Sequence, residues 1–369
     1  MNVSGCSFFH MEECYSTSLL HTHFHIRHHF VRLPLCCLLS HRNKMQWNAG
    51  KVQPLLPYHQ HPPLALWADI IKQEALLLKQ PSYIFADSFP GPTEDWLTIQ
   101  NDRRTTLASI CQKNNLIKLR SKLDSHVASQ IFVEHKHKFT YCEVPKVGCS
   151  NWKRTIFILQ EGLNVEASEI EHNHIHQTSL IKRLSAYPPA LQEEFLNNYT
   201  KVMFTRHPLE RLVSAYRDKL LHSEPYYSIT VANQIKAMFR KNKNSSEKVS
   251  FQEFVSFITA KPPNTLDIHW KPMVLLCDPC NIHYDILGKY ETLGLDSEQV
   301  LKAIGAPESL QYPSLKRYGS EKRTNGDITL EYLRQLSSEQ IEKIKELYQL
   351  DFLLFNYTMK YENYFSLKR

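Results

Sequence analysis

The sequence predicts an α/β domain with a central parallel sheet flanked by helices, and three observations carry that prediction. Two short apolar segments, residues 139–144 and 201–205, have the β-branched and aromatic content of buried strands. Each runs through a short turn into a helical pattern, as in βα units. Both strand ends carry basic residues, and open α/β sheets bind ligands at the carboxyl ends of their strands.

The first unit is FTYCEV-PKVGCS-NWKRTIFIL. Pro145 closes the strand, because proline cannot donate to a central ladder. Lys146-Val147-Gly148-Cys149-Ser150 is a small-residue loop, and a helix with a capping Ser150 or Asn151 follows. Strand, tight loop and helix form a P-loop-like phosphate site: free N–H groups and the macrodipole at the helix start favour an anion. Lys146 adds a positive charge, and Lys153 and Arg154, one turn in, could reach back. This is not a Walker A loop. It holds one glycine, Gly148, its lysine precedes the turn, and no Gly-Lys-Ser/Thr follows, which argues against a P-loop kinase. The competing reading is an ordinary βα unit with a surface lysine.

The second unit is KVMFT-RHPLERLVSAYRDK. Pro208 suits a first helical turn. Leu209, Leu212, Val213 and Tyr216 recur at helical spacing as a buried face. Arg206 stands at the strand's carboxyl end and Ser214 two turns along the helix, so the pair could hold a second phosphate.

Together, PKVGCSNWKR and TRHPLERLVSAYRDK closely resemble the two nucleotide-binding segments of the Golgi carbohydrate sulfotransferases. The resemblance extends through DIHWKPMVLLCDPCNIHYDILGKYETL and LYQLDFLLFNYT, over roughly residues 116–358. It implies a sulfotransferase fold that binds PAPS (3′-phosphoadenosine 5′-phosphosulfate). Pro145, Lys146, Val147, Gly148, Cys149, Ser150 and Asn151 would hold the 5′-phosphosulfate. Arg206, His207, Pro208, Leu209, Glu210, Arg211, Leu212, Val213 and Ser214 would form the 3′-phosphate segment. Lys146 would also stabilise charge on the leaving oxygen. The branch it resembles sulfates the 4-hydroxyl of N-acetylgalactosamine on glycoprotein glycans, with chondroitin/dermatan 4-O-sulfotransferases as the alternative. The scheme needs no metal.

Composition bounds this reading without choosing it. A chain of 369 residues can bury a large core, and 42% hydrophobic with 22% charged residues is globular. The net charge of +7 suits an anionic ligand or simple solubility equally, and no nucleic-acid partner is read from it. Residues 1–45 are rich in His and Cys, match no closed zinc pattern, and contain no apolar run of about 20 residues. The family's N-terminal signal-anchor, which would place the enzyme in the Golgi membrane with a luminal catalytic domain, is therefore not evident in this stretch. Residues 46–100, broken by prolines apart from a helical pattern at 64–78, read as a stem, and 101–369 as the catalytic domain.

Between the two units lies EHNHIHQ. His172 and His176 share a helix face, and His174 competes with them. A sulfuryl transfer needs a base for the acceptor hydroxyl, and histidine titrates in the right range. By position, His176 resembles the family's histidine. His269 and Trp270 suggest either sugar stacking or packing. Cys277 and Cys280 form a CxxC that reads as structural disulfides in a luminal chain, with Cys111, Cys142 and Cys149 as possible partners and the connectivity open. Further expectations are a charged helical stretch over 102–129, a strand over 282–290, a helix opened by a capping box at Asp296–Gln299, and a long helix over 337–355. Lys322 and Arg323 stand in a late basic loop that could close on the nucleotide. Sequons occur at Asn2, Asn198, Asn244 and Asn356.

Overall fold

The computed structural model describes residues 92–118, 122–222, 224–243, 245–313 and 322–359. The atypical N-terminal stretch, the helix expected at 64–78, Asn244 and most of the basic loop at 316–324 lie outside the described residues.

The sheet has four strands, β1 (Ile131–Glu134), β2 (Phe139–Cys142), β3 (Thr200–Thr205) and β4 (Ile286–Lys289), in that spatial order. β2, β3 and β4 are parallel, with Cys142 opposite Met203 and Val202 opposite Ile286. β1 is antiparallel to β2, with Ile131 opposite Cys142. The sheet is therefore mixed where a parallel one was expected. Only residues 135–138 join β1 to β2, far short of the dozen or so a crossover needs, and Lys138 takes a left-handed turn position at φ 50°. The strand expected at 282–290 is also shorter. Ile282 closes a helical turn, and His283 at φ 56° breaks the backbone before β4.

α1 spans Glu94–Lys113, so the boundary expected at residue 101 falls inside it. This helix covers the open edge of β4. Gln100 accepts from the Leu287 amide (2.8 Å), and Arg103 donates to the Leu287 carbonyl (2.7 Å). An unpaired strand edge invites another strand, and side chains satisfying its backbone prevent that. Asp296 anchors the same contact, accepting from Trp96 Nε1 (2.9 Å), Arg103 (2.9 Å) and the Lys289 amide (2.8 Å). It is buried inside a helix that begins at Leu293, so it is a hub for α1 and not the capping residue the sequence suggested.

α2 (Cys149–Glu161), α3 (His172–Gln177) and α4 (Pro189–Asn198) connect β2 to β3, and α5 (Pro208–Leu220) follows β3. A π-helical turn, Tyr226–Val231, leads into α6 (Ala232–Phe239). α7 (Phe251–Thr259) and α10 (Ser338–Leu354) both open with full capping boxes, at Ser250/Glu253 and Ser337/Gln340. α8 is Leu293–Ala303 and α9 is Gly326–Leu333. The sheet, α1 and α2 share one apolar cluster, and a second is built from α5, α6, α7, α9 and α10. Among the described residues, no helix is long and apolar enough to cross a membrane.

The CxxC resolves into two separate disulfides, Cys111–Cys280 and Cys142–Cys277. One turn thereby staples α1 and the end of β2. The bridged residues are 169 and 135 positions apart, and in the chain-entropy account closing one loop of that size stabilises by about 5 kcal/mol, the second, nested bridge adding less.

Candidate active site

β2 and β3 are parallel neighbours, so their carboxyl ends lie side by side and the two basic segments meet. Arg206 Nη1 donates to the Lys146 carbonyl at 3.2 Å, and Arg211 Nε donates to the Pro145 carbonyl at 3.0 Å.

In the first loop Pro145 and Val147 are buried, and Lys146 lies between them with a left-handed backbone, φ 71°. A side chain other than glycine's is uncommon there, and such strain gathers at functional sites. Lys146 Nζ stands 3.1 Å from Asp218 Oδ2. Burial lowers the ammonium's pKa while Asp218 works to raise it. Gly148 is the N-cap at φ 86°, and a Cβ there would stand 2.9 Å from both Leu293 Cδ2 and the Tyr312 hydroxyl. A glycine cap has no side chain to occupy the helix start. The amides of Cys149 and Ser150 accordingly have no acceptor among the described residues. That uncapped start beside a lysine fits an anionic phosphosulfate. Cys149 is a free, buried thiol, its pKa pushed up chiefly by burial. Asn151 bonds the Pro313 carbonyl (3.2 Å) and receives Arg154 (3.2 Å).

The second segment is mostly turned inward. Leu209, Leu212 and Val213 belong to the helical apolar cluster, and Pro208 is buried at the helix start. His207 reaches the Thr358 carbonyl (3.0 Å) and packs on Phe352 and Tyr357. Arg211, 1% exposed, donates to the carbonyls of Pro145, Lys271 (2.7 Å) and Ile268 (2.8 Å). These five side chains and Arg211 hold the protein together and leave little for a nucleotide to touch. Arg206 also binds the Thr324 carbonyl (2.6 Å) and lies 4.1 Å over the Tyr290 ring, yet its buried Nε has no hydrogen-bond partner among the described residues. That orphaned donor fits a phosphate oxygen. Glu210 and Ser214 are partly exposed on the same helix.

Sequence reasoning missed two neighbours of this end. Arg217 reaches the Thr324 hydroxyl (2.8 Å) and the Lys322 carbonyl (3.0 Å), and Arg206 holds the Thr324 carbonyl, so Thr324 lies between the two guanidinium groups. Asp218 pairs with Lys146. Both lie in the quoted YRDK run, at positions 217 and 218 on α5, and their helical spacing from Ser214 was the available signal.

His176 is brought to the start of α2. Its Nε2 lies 2.9 Å from Ser150 Oγ and its Nδ1 lies 3.1 Å from Lys153 Nζ. An ammonium only donates, so Nδ1 accepts and Nε2 carries the proton to Ser150. Partial burial first, then Lys153, hold its pKa down to about 4. His176 is thus neutral, but it would have to release Lys153 before taking a proton from a hydroxyl. Lys153 itself meets buried Glu143 at 2.5 Å, and Arg183 meets the other oxygen at 2.6 Å. Burial opposes ionisation of Glu143, yet these two cations hold its carboxyl below the ordinary range. His172 packs on His176 with tilted rings, centroids 4.4 Å apart, and His174 packs on Phe157 instead.

Trp270 is 2% exposed in the helical cluster, so it packs and does not present a face to a sugar. His269 next to it is partly exposed and 2.7 Å from Asp267.

Two basic strand ends thus lie side by side in an α/β domain, one with an uncapped helix start and a lysine, the other with a buried arginine short of one acceptor among the described residues. Residues 129–358 match the Sulfotransferase family, and the chain belongs to that family. It is similar to human carbohydrate sulfotransferase 9, at 40% identity over 70% of this chain and 60% of that protein. It is also similar to mouse carbohydrate sulfotransferase 8 (38%, covering 73% and 66%) and rat carbohydrate sulfotransferase 11 (34%, covering 72% and 77%). The chain spans under two thirds of the length of the first two. No solved structure gives a significant match.

Proposed function

We propose that this protein is a PAPS-dependent carbohydrate sulfotransferase that moves sulfate to the 4-hydroxyl of N-acetylgalactosamine on glycoprotein glycans. The observation that carries the reading is the uncapped start of α2 beside Lys146, laced by Arg206 and Arg211 to a second basic strand end. The similarity to proteins named carbohydrate sulfotransferases supports the acceptor class.

In this reading the Cys149 and Ser150 amides and Lys146 hold the 5′-phosphosulfate. Lys146 stabilises the charge that grows on the departing oxygen, the part of such a transfer that preorganised donors serve best. Arg206 and Ser214 grip the 3′-phosphate, joined by Arg217. The rest of the contribution is positioning of donor and acceptor. We also place the chain in the Golgi membrane in type II orientation, with the catalytic domain luminal and residues 46–91 within the stem. Two disulfides in one domain suit an oxidising compartment. The sequons at Asn198 and Asn356 are exposed and open to glycosylation there.

The test is transfer from labelled PAPS to a terminal GalNAcβ1-4GlcNAc glycan and to desulfated chondroitin. Transfer to the first alone is expected. Transfer to chondroitin alone would move the enzyme to the other branch, and transfer to neither would defeat the assignment.

A further inference from the structure

Among the described residues, Asp267 and His269 form a polar cluster outside both nucleotide segments. Asp267 and His269 stand between α7 and β4, where Arg211 donates to the carbonyls of Ile268 and Lys271. The same guanidinium holds Pro145, so His269 sits on a segment fastened directly to the first loop. Its Nδ1 lies 2.7 Å from Asp267 Oδ1, and Asp267 also receives the His269 amide (2.9 Å). Tyr227 donates its hydroxyl to Oδ2 (3.1 Å) and packs edge-on against the imidazole, centroids 5.3 Å apart.

Burial opposes the charge on Asp267, but these hydrogen bonds hold its carboxyl below the ordinary range. An ionised carboxylate only accepts, so the proton of neutral His269 is on Nδ1 and the lone pair on Nε2. No described group donates to that nitrogen. His269 is close enough to Asp218 to act on its charge, and Asp218 pairs with Lys146. A carboxylate-oriented imidazole with its second nitrogen open is the arrangement of a general base. His176 has the opposite arrangement, with both nitrogens engaged. Tyr227 also lies in the π-helical turn, a distortion that is often found at functional sites.

We propose that His269 is a catalytic residue that takes the acceptor hydroxyl's proton at Nε2, with Asp267 and Tyr227 as positioning residues. The proposal rests on the sulfotransferase reading. As the acceptor oxygen forms its bond to sulfur, the bond from sulfur to the bridging phosphate oxygen breaks. Its electron pair leaves with adenosine 3′,5′-bisphosphate, and the hydroxyl proton passes to Nε2 and then to water.

The test compares the full chain with His269→Gly, His269→Gln, Asp267→Asn and His176→Gln. Readouts are kcat, KM for PAPS, affinity for adenosine 3′,5′-bisphosphate, and activity with added imidazoles of graded basicity. The expected result is a kcat loss of about 100-fold or more at His269. Nucleotide affinity should stay within twofold, and imidazole should restore His269→Gly in proportion to its basicity. Asp267→Asn should lower kcat with KM for PAPS unchanged. Losses under threefold at His269, or rescue confined to a His176 variant, would overturn the inference while the parent's transfer upheld the sulfotransferase reading. A parent chain that binds the nucleotide and sulfates no carbohydrate would sink both.

Discussion

The two basic strand ends differ in the direction they turn. The loop after β2 leaves the Cys149 and Ser150 amides without an acceptor among the described residues and keeps Lys146 only partly buried, while Pro145, Val147 and Cys149 turn inward. The segment after β3 buries Arg206, His207, Pro208, Leu209, Arg211, Leu212 and Val213, leaving only Glu210 and Ser214 partly exposed. The second segment is mostly a brace for the first, through Arg206 and Arg211. A run of sequence that resembles a binding segment therefore mixes partly exposed residues with residues that only hold the loop's shape.

The sharpest way to break this comparison is Arg211→Ala. It would strip three carbonyls of a charged donor inside the core, and buried networks broken from one side cost about 3–5 kcal/mol. The expected outcome is a large fall in Tm, or no folded protein, read by thermal melting. Lys146→Ala should do the reverse. Its partner Asp218 is 40% exposed and its backbone is strained, so Tm should shift little. Sulfate transfer should fall about 100-fold or more, as when a transition-state donor is lost. Gly148→Ala falls between, since it forces a side chain onto φ 86° and against Leu293 and Tyr312. A loss of about 1–3 kcal/mol is expected by denaturant unfolding.

The smallest effect is in pH. His176 has its folded pKa lowered from 6.5 to about 4, so the fold binds fewer protons there than the open chain does. Stability from this group is full above 6.5 and is lost as pH falls toward 4. Melts across that window should flatten in His176→Gln relative to the parent.

Both βα units were legible because each shows its strand composition and helix start within some twenty residues. The hairpin direction of β1 was legible too, since strands read at 131–134 and from 139 leave only four residues between them. The disulfide pairing, the inward turn of Arg211 and the role of Asp267 were not legible. Each depends on partners that lie between 57 and 169 positions away or on a π-helical turn with no local signature. Trp270 shows the same limit, since a His-Trp pair reads alike whether the indole faces a sugar or the core.

The cover that α1 places over β4 bears on how the chain can be cut. A fragment begun at residue 101 would keep Arg103 but lose Trp96 and Gln100, leaving the Leu287 amide open at a sheet margin. Such a margin pairs with its own copy, so that fragment would self-associate through β4. One begun at or before Glu94 would carry its own protection.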